Sequence, residues 1–177
     1  PGLSPLSFSP RALAAIAARK TPVQSWFLDL RLIMDYWGKD ASNTPRVYHH
    51  TAPVNALYGL HEAVAMVLEE GLEAVWARHQ RVHQHLVRGL EAAGMEMLVA
   101  APHRLPMLNA VRVPQGIDEA AVRRRLLEQH DLEIGPGLGP LKGQIWRIGL
   151  MGNGCHEADA DFCLEALAEE LTTQAVA

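Results

Sequence analysis

The most regular hydrophobic spacing lies in the middle of the chain. Val54, Leu57, Val64 and Leu68 recur at helical intervals, and Leu72, Val75, Val82, Leu86 and Leu90 continue the stripe beyond Gly71. Thr51-Ala52-Pro53 opens this region and Gly94 closes it, while Gly71 marks a kink or a break. A long helical segment bridging two domains is expected over residues 53–93. Ahead of it, Ser9-Pro10 pairs a capping oxygen with a proline pre-set for a first turn, so a helix is expected over residues 10–20. A second, over residues 25–37, places Trp26, Leu30, Ile33, Met34 and Trp37 on one stripe and stops at Gly38. Residues 1–8 alternate weakly through Leu3, Leu6 and Phe8, which predicts a short strand. The polar residues 38–45, with their Thr44-Pro45 breaker, read as an exposed loop.

Beyond Gly94 the period shortens. Residues 95–99, 108–113, 132–134 and 145–150 are strand candidates. Asp118 caps a helix carrying Val122, Leu126 and Leu127, and a last helix runs from His156 to about residue 171 with acids in its first turn. The order α-β-β-α-β-β-α predicts a compact α+β domain with its helices on one face of a small sheet.

Composition narrows the function classes. With 177 residues, 49% of them hydrophobic, the chain can bury a substantial core, and a net charge of −4 without a basic run argues against nucleic acid or an anionic membrane as partner. Arg123-Arg124-Arg125 sits among acids in an amphipathic helix and reads as a solvated face. No apolar run approaches the roughly 20 residues of a membrane span. The start at Pro1-Gly2 lacks a signal peptide's basic and apolar regions and an initiator methionine, so a truncated or processed chain is expected. Cys155 and Cys163 read as reduced, inert packing thiols of a cytoplasmic protein.

Few residues are placed to carry chemistry. Arg147 stands between Ile145-Trp146 and Ile148-Gly149-Leu150, so its guanidinium should be at least half buried and needs a planar anionic partner. That partner is either a protein Asp or Glu or a ligand carboxylate held by two parallel hydrogen bonds. Tyr48 and Thr51 stand just before a proline-opened helix, where hydroxyls and amides suit a phosphate. Spacing alone favours the plainer alternative, capping by Thr51 and core packing of Tyr48. His49 and His50 cannot both face one way in an extended segment. Gly135-Pro136-Gly137-Leu138-Gly139-Pro140 lacks the spacing of a nucleotide loop and suits a tight turn or close backbone approach to a ligand. His79, His83 and His85 have no carboxylate or cysteine at ligand spacing, Glu73 and Glu91 being turns away, so a solvated polar face is expected and no metal site.

Taken in order, several segments resemble the C-terminal half of class V pyridoxal-phosphate aminotransferases of the alanine–glyoxylate/serine–pyruvate type. They are the run from Pro1 to Ser9, Arg19-Lys20, Tyr36-Trp37-Gly38, Tyr48-His49-His50-Thr51, Gly137-Leu138-Gly139 and Arg147-Ile148-Gly149-Leu150. The resemblance covers essentially the whole chain. It implies an α/β enzyme of fold type I, here represented by residues 1–52 of the cofactor-binding large domain, a bridging helix over 53–93 and a small α+β domain over 94–177. It further implies that Tyr48 and Thr51 hold the phosphate of pyridoxal 5'-phosphate across a homodimer interface, and that Arg147 holds the substrate α-carboxylate. The reaction implied moves an amino group from alanine or serine to glyoxylate or pyruvate. The family's Schiff-base lysine would stand upstream of Pro1, and none of Lys20, Lys39 and Lys142 matches it, so the chain by itself is expected to be inactive. The alternative class is a non-catalytic dimerisation or ligand-binding module that keeps the fold.

Overall fold

The computed structural model describes residues 2–37 and 47–175. The described helices are α1 (Pro10–Ala17), α2 (Leu30–Trp37), α3 (Val54–Glu70), α4 (Leu72–Ala92), α5 (Glu119–His130) and α6 (Glu157–Ala175). The strands are β1 (Leu108–Arg112), β2 (Gly135–Pro136) and β3 (Ile145–Gly149). The chain divides into two compact units, Pro1–Met66 and Val67–Ala177.

In the first unit, α1 begins where the sequence places it, with the Ser9 hydroxyl accepting the Ala12 amide at 3.2 Å. Residues 2–9 form no strand, in contrast to the expectation. Alternation supplies a face, but a strand also needs a neighbour for its amides and carbonyls, and none is described here. The second helix starts at Leu30 rather than at residue 25. Asp29 stops it there: its carboxylate accepts the Arg31 amide at 3.0 Å and the Arg31 guanidinium at 2.9 Å. Hydrogen bonding to that guanidinium holds the Asp29 carboxyl below its ordinary range. Residues 25–29 instead make tight turns, with Leu28 N bonding Ser25 O at 3.2 Å and Asp29 N bonding Trp26 O at 3.3 Å. The loop predicted over 38–45 lies outside the described residues.

Gly71 is a break rather than a kink. Its φ of 87° and ψ of 135° separate α3 from α4, and a side chain at that φ would be strained. After α4, residues 95–99 pair with β1 only partly. Met97 bridges Val111, and Leu98 N and Arg112 N bond Ala110 O and Glu96 O at 2.9 and 2.8 Å. The strand expected at 132–134 arrives as β2 at Gly135, because Asp131 adopts a left-handed φ of 51° and Leu132 N closes the end of α5 on Leu126 O. The last helix runs past residue 171 to Ala175.

The sheet is antiparallel, in the order β1-β3-β2. Its register sets Asn109 opposite Ile148 and Val111 opposite Trp146. These four side chains face the core, where Val82, Leu86 and Leu90 of α4, Val122 and Leu126 of α5, and Cys163 and Leu167 of α6 pack together. Period two then puts Ala110, Arg147 and Gly135 side by side on the opposite face. Within the second unit α4, α5 and α6 therefore pack on the same face of the sheet, as the order of elements predicts.

Two polar groups depart from the solvated positions expected for them. His83 is buried, because Asn109 in mid-strand satisfies it. Asn109 Nδ2 donates to Ile148 O at 3.3 Å and Pro106 O at 3.4 Å, so its Oδ1 faces His83 Nδ1 at 2.7 Å and the imidazole is the donor. Of the arginine triplet, Arg124 is exposed and Arg123 pairs with Glu119 at 2.7 Å, but Arg125 ties α5 to the buried Glu170 of α6. Glu170 also lies 3.4 Å from His130 Nε2.

Asn109→Leu is expected to keep the shape of the site but leave the buried His83 Nδ1–H without its acceptor. The cost should be about 1–3 kcal/mol of stability, read from the midpoint of urea unfolding. An unchanged midpoint would mean that water replaces the amide.

Candidate functional site

The predicted site residues fall in both units, and each cluster is built from its own neighbours. In the first unit, Tyr48 Oη and Thr51 Oγ1 are 2.7 Å apart. Tyr48 is 68% exposed, so it is not a core tyrosine. Helix α3 begins at Val54, with Pro53 O accepting Leu57 N at 3.0 Å. Among the described residues no α3 amide bonds Thr51 Oγ1, whose partner is Tyr48. Two hydroxyls thus converge in solvent just ahead of the positive end of a 17-residue helix.

His49 anchors the segment between them. It is 3% exposed, stacks on Trp26 with ring centres 4.0 Å apart, and sets Nε2 3.0 Å from Trp26 O. A carbonyl only accepts, so His49 donates from Nε2. Its bare Nδ1, in the neutral ring, then accepts a hydrogen bond from His50 Nδ1–H, 2.7 Å away. Sequence spacing gives no hint of Trp26 as the partner, 23 residues earlier.

In the second unit, Arg147 is half-buried on the sheet face away from the core. Its Nε donates to Pro136 O at 2.7 Å. Among the described residues no Asp or Glu forms an ion pair with it. The glycine-rich stretch approaches the chain's own atoms: a Cβ at Gly137 would stand 2.0 Å from Leu141 O, and Gly139 has a φ of 54°.

The other candidates have structural partners. His79 lies 2.7 Å from Val75 O and accepts Gly152 N at 3.2 Å, and His85 pairs with Asp161. Together with His83 on Asn109, the three histidines serve separate structural contacts. Arg78, which no spacing singles out, grips Glu70 at 2.6 and 2.7 Å and donates to Gly152 O and Cys155 O at 3.0 and 2.9 Å. That guanidinium draws the Glu70 carboxyl below its ordinary range. Cys155 and Cys163 are both buried; burial raises the Cys155 thiol and pushes Cys163 up to about 11. Lys20 and Lys142 are exposed outside helices and strands, and Lys39 lies outside the described residues. No described helix is long and apolar enough to cross a membrane.

Residues 31–139 match the family model for class V aminotransferases. The chain belongs to the class V aminotransferase family. It is 42% identical over 171 residues to alanine–glyoxylate aminotransferase of Drosophila melanogaster, a match covering 96% of this chain and 43% of that protein. It is 35% identical over 184 residues to (S)-ureidoglycine–glyoxylate transaminase of Bacillus subtilis, covering 94% and 43%. The crystal structure of alanine–glyoxylate aminotransferase from Nostoc sp. superimposes with a TM-score of 0.84 at 42% identity, covering 93% of this chain and 42% of that one. The chain therefore spans less than half the length of these relatives.

The thiols give a check on the second unit. Because burial favours the protonated form, Cys163 should be thiolate in only about one molecule in a thousand at pH 8. Alkylation by iodoacetamide should be slow for both cysteines in the native chain and fast in denaturant. Rapid native alkylation would show an open thiol. With the folded Cys163 value above the unfolded one, its contribution to stability holds below about pH 8.5 and fades as pH rises through about 11.

Proposed function

We propose that this chain is the C-terminal part of a pyridoxal-phosphate-dependent transaminase. The proposed reaction moves an amino group from a small amino acid, alanine or serine, to a 2-oxo acid, glyoxylate or pyruvate. The observation that carries the reading is Arg147: a half-buried guanidinium, bonded at Nε, with no described carboxylate. Such a group suits a substrate carboxylate, which both an α-amino acid and a 2-oxo acid possess. Glyoxylate appears in the names of both curated relatives above, which supports a small 2-oxo acid as acceptor.

Tyr48 and Thr51 fit the cofactor's phosphate, because two exposed hydroxyls meet beside a helix N-terminus. The bound cofactor would supply an electron sink for charge developed at the substrate α-carbon. The chain's own part is to hold the phosphate through those hydroxyls and orient the carboxylate through Arg147. We place Tyr48 and Thr51 at the neighbouring subunit's site in a cytoplasmic homodimer. The apolar face of α3, with Leu57, Val64 and Leu68 exposed, supports a covering partner. In this scheme residues 1–52 complete the large domain, 53–93 bridge, 94–177 form the small domain, and the Schiff-base lysine stands upstream of Pro1.

In the full-length protein, Arg147→Lys is expected to lower kcat/KM for amino and oxo acid by roughly ten- to a hundredfold while leaving cofactor affinity unchanged. That corresponds to a lost charge-assisted pair of about 1.5–3 kcal/mol. Unchanged kinetics in a folded variant would remove Arg147 from the site.

Tyr48→Phe and Thr51→Ala should each raise the cofactor's Kd several-fold. Mixed dimers of subunits lacking both hydroxyls with subunits lacking the lysine should recover activity at one intact site. Verified mixed dimers that stay inactive would rule out the cross-subunit placement.

A further inference from the structure

Arg147 reaches its carbonyl by crossing a residue that has no side chain. The β2–β3 register places Gly135 directly opposite Arg147. A Cβ built at Gly135 would stand 3.2 Å from Arg147 Nη2, 3.4 Å from Nε and 3.5 Å from Cβ, so the arginine lies along the space that a side chain would fill. Beyond it, Pro136 has no amide to offer, and its carbonyl accepts Arg147 Nε at 2.7 Å. On the other side the register neighbour is Ala110, also small.

The backbone itself does not demand glycine at this position. Gly135 has no left-handed φ, and the three nearest atoms to its missing Cβ all belong to Arg147. Gly137 differs: its Cβ would collide with the Leu141 backbone and, at 2.9 Å, with Ile145, so the turn alone explains that glycine.

We propose that Gly135 and the Pro136 carbonyl position Arg147, holding its guanidinium across β2 so that Nη1 and Nη2 are the edge offered to a ligand carboxylate. A guanidinium can present a carboxylate with a side edge, Nε and one Nη, or with its end, Nη1 and Nη2. With Nε committed to Pro136, the end-on grip is the one left with both donors. Fixing the side chain in advance also spares the ligand the ordering of a long, flexible group. The inference rests on the reading of Arg147 as the carboxylate-binding residue.

The test places Gly135→Ala and Gly135→Val in the full-length holoenzyme, each alone and combined with Arg147→Lys. In the arginine background, KM for alanine and glyoxylate should rise about three- to tenfold for alanine substitution and further for valine, with kcat within about twofold and cofactor affinity unchanged. In the lysine background the same substitutions should change KM by less than about twofold, since the crossing guanidinium is gone. A second readout needs no turnover. The Arg147 Nε–H signal, assigned by its loss in Arg147→Lys, should exchange slowly with water in the parent and faster in Gly135→Val.

Normal KM in folded Gly135→Ala and Gly135→Val, where Arg147→Lys is impaired, would overturn this inference and leave the role of Arg147 standing. Equal effects in both backgrounds would overturn it too, by showing that position 135 acts through the sheet. A slow Nε–H signal that persists in Gly135→Val would do the same. Unimpaired Arg147→Lys would remove the reading of Arg147 and the inference together.

Discussion

β3 is the middle strand of three, and its two faces serve opposite ends. A middle strand uses its amides and carbonyls on both neighbours, so its side chains leave only upward or downward with period two. Trp146 and Ile148 go down into the helical core. Burying such side chains is worth about 1.5–3 kcal/mol each. Arg147 goes up, onto the face that the three helices leave uncovered. A slip of one residue would expose the tryptophan and drive a guanidinium into the core without a partner, at a cost of several kcal/mol. The hydrophobic pattern that folds the second unit is therefore the same constraint that aims Arg147 away from the core.

What could be read from the sequence was local. The Ser9 cap, the Asp118 cap and the Gly71 break depend on residues within a turn or two and are present, as are the buried stripes Val82, Leu86 and Leu90 of α4 and Val122 and Leu126 of α5, whereas Leu72 and Leu127 are exposed. α2 starts later than its apolar stripe predicts because Asp29 captures Arg31 before the stripe can extend the helix back to Ser25. The strand expected at residues 1–8 failed because alternation cannot supply a neighbour. The local pattern places His83 and Arg125 in solvent because their partners, Asn109 and Glu170, lie 26 and 45 residues away. No periodicity reveals a polar contact across such a distance.

The site was legible in a different way. Spacing alone favoured a cap and a core tyrosine at Thr51 and Tyr48, and left Arg147 open between two partners. Resemblance to the class V aminotransferases singled out all three residues. The geometry adds the exposure of Tyr48, the absence of an ion pair at Arg147 among the described residues, and the hydroxyl pair itself. The crossing of Gly135 was beyond reach, since the glycine-rich stretch advertises close approach without saying which atom approaches.

The segment from Tyr48 to Thr51 shows how a short irregular stretch can be held without secondary structure. In a regular extended chain, hydroxyls three residues apart would point to opposite faces, as would adjacent imidazoles. Here both pairs meet, at 2.7 Å each, so the backbone must turn between them. A turn with no ladder needs other restraints, because loop backbone is otherwise free to move. His49 supplies them: its ring is stacked on Trp26, its Nε2 is fixed on a carbonyl, and its Nδ1 is closed by His50. All of these bonds form with neutral rings, so no buried charge is required. The hydroxyls on either side are thereby left exposed on a pinned backbone, the arrangement on which the proposed phosphate contact draws.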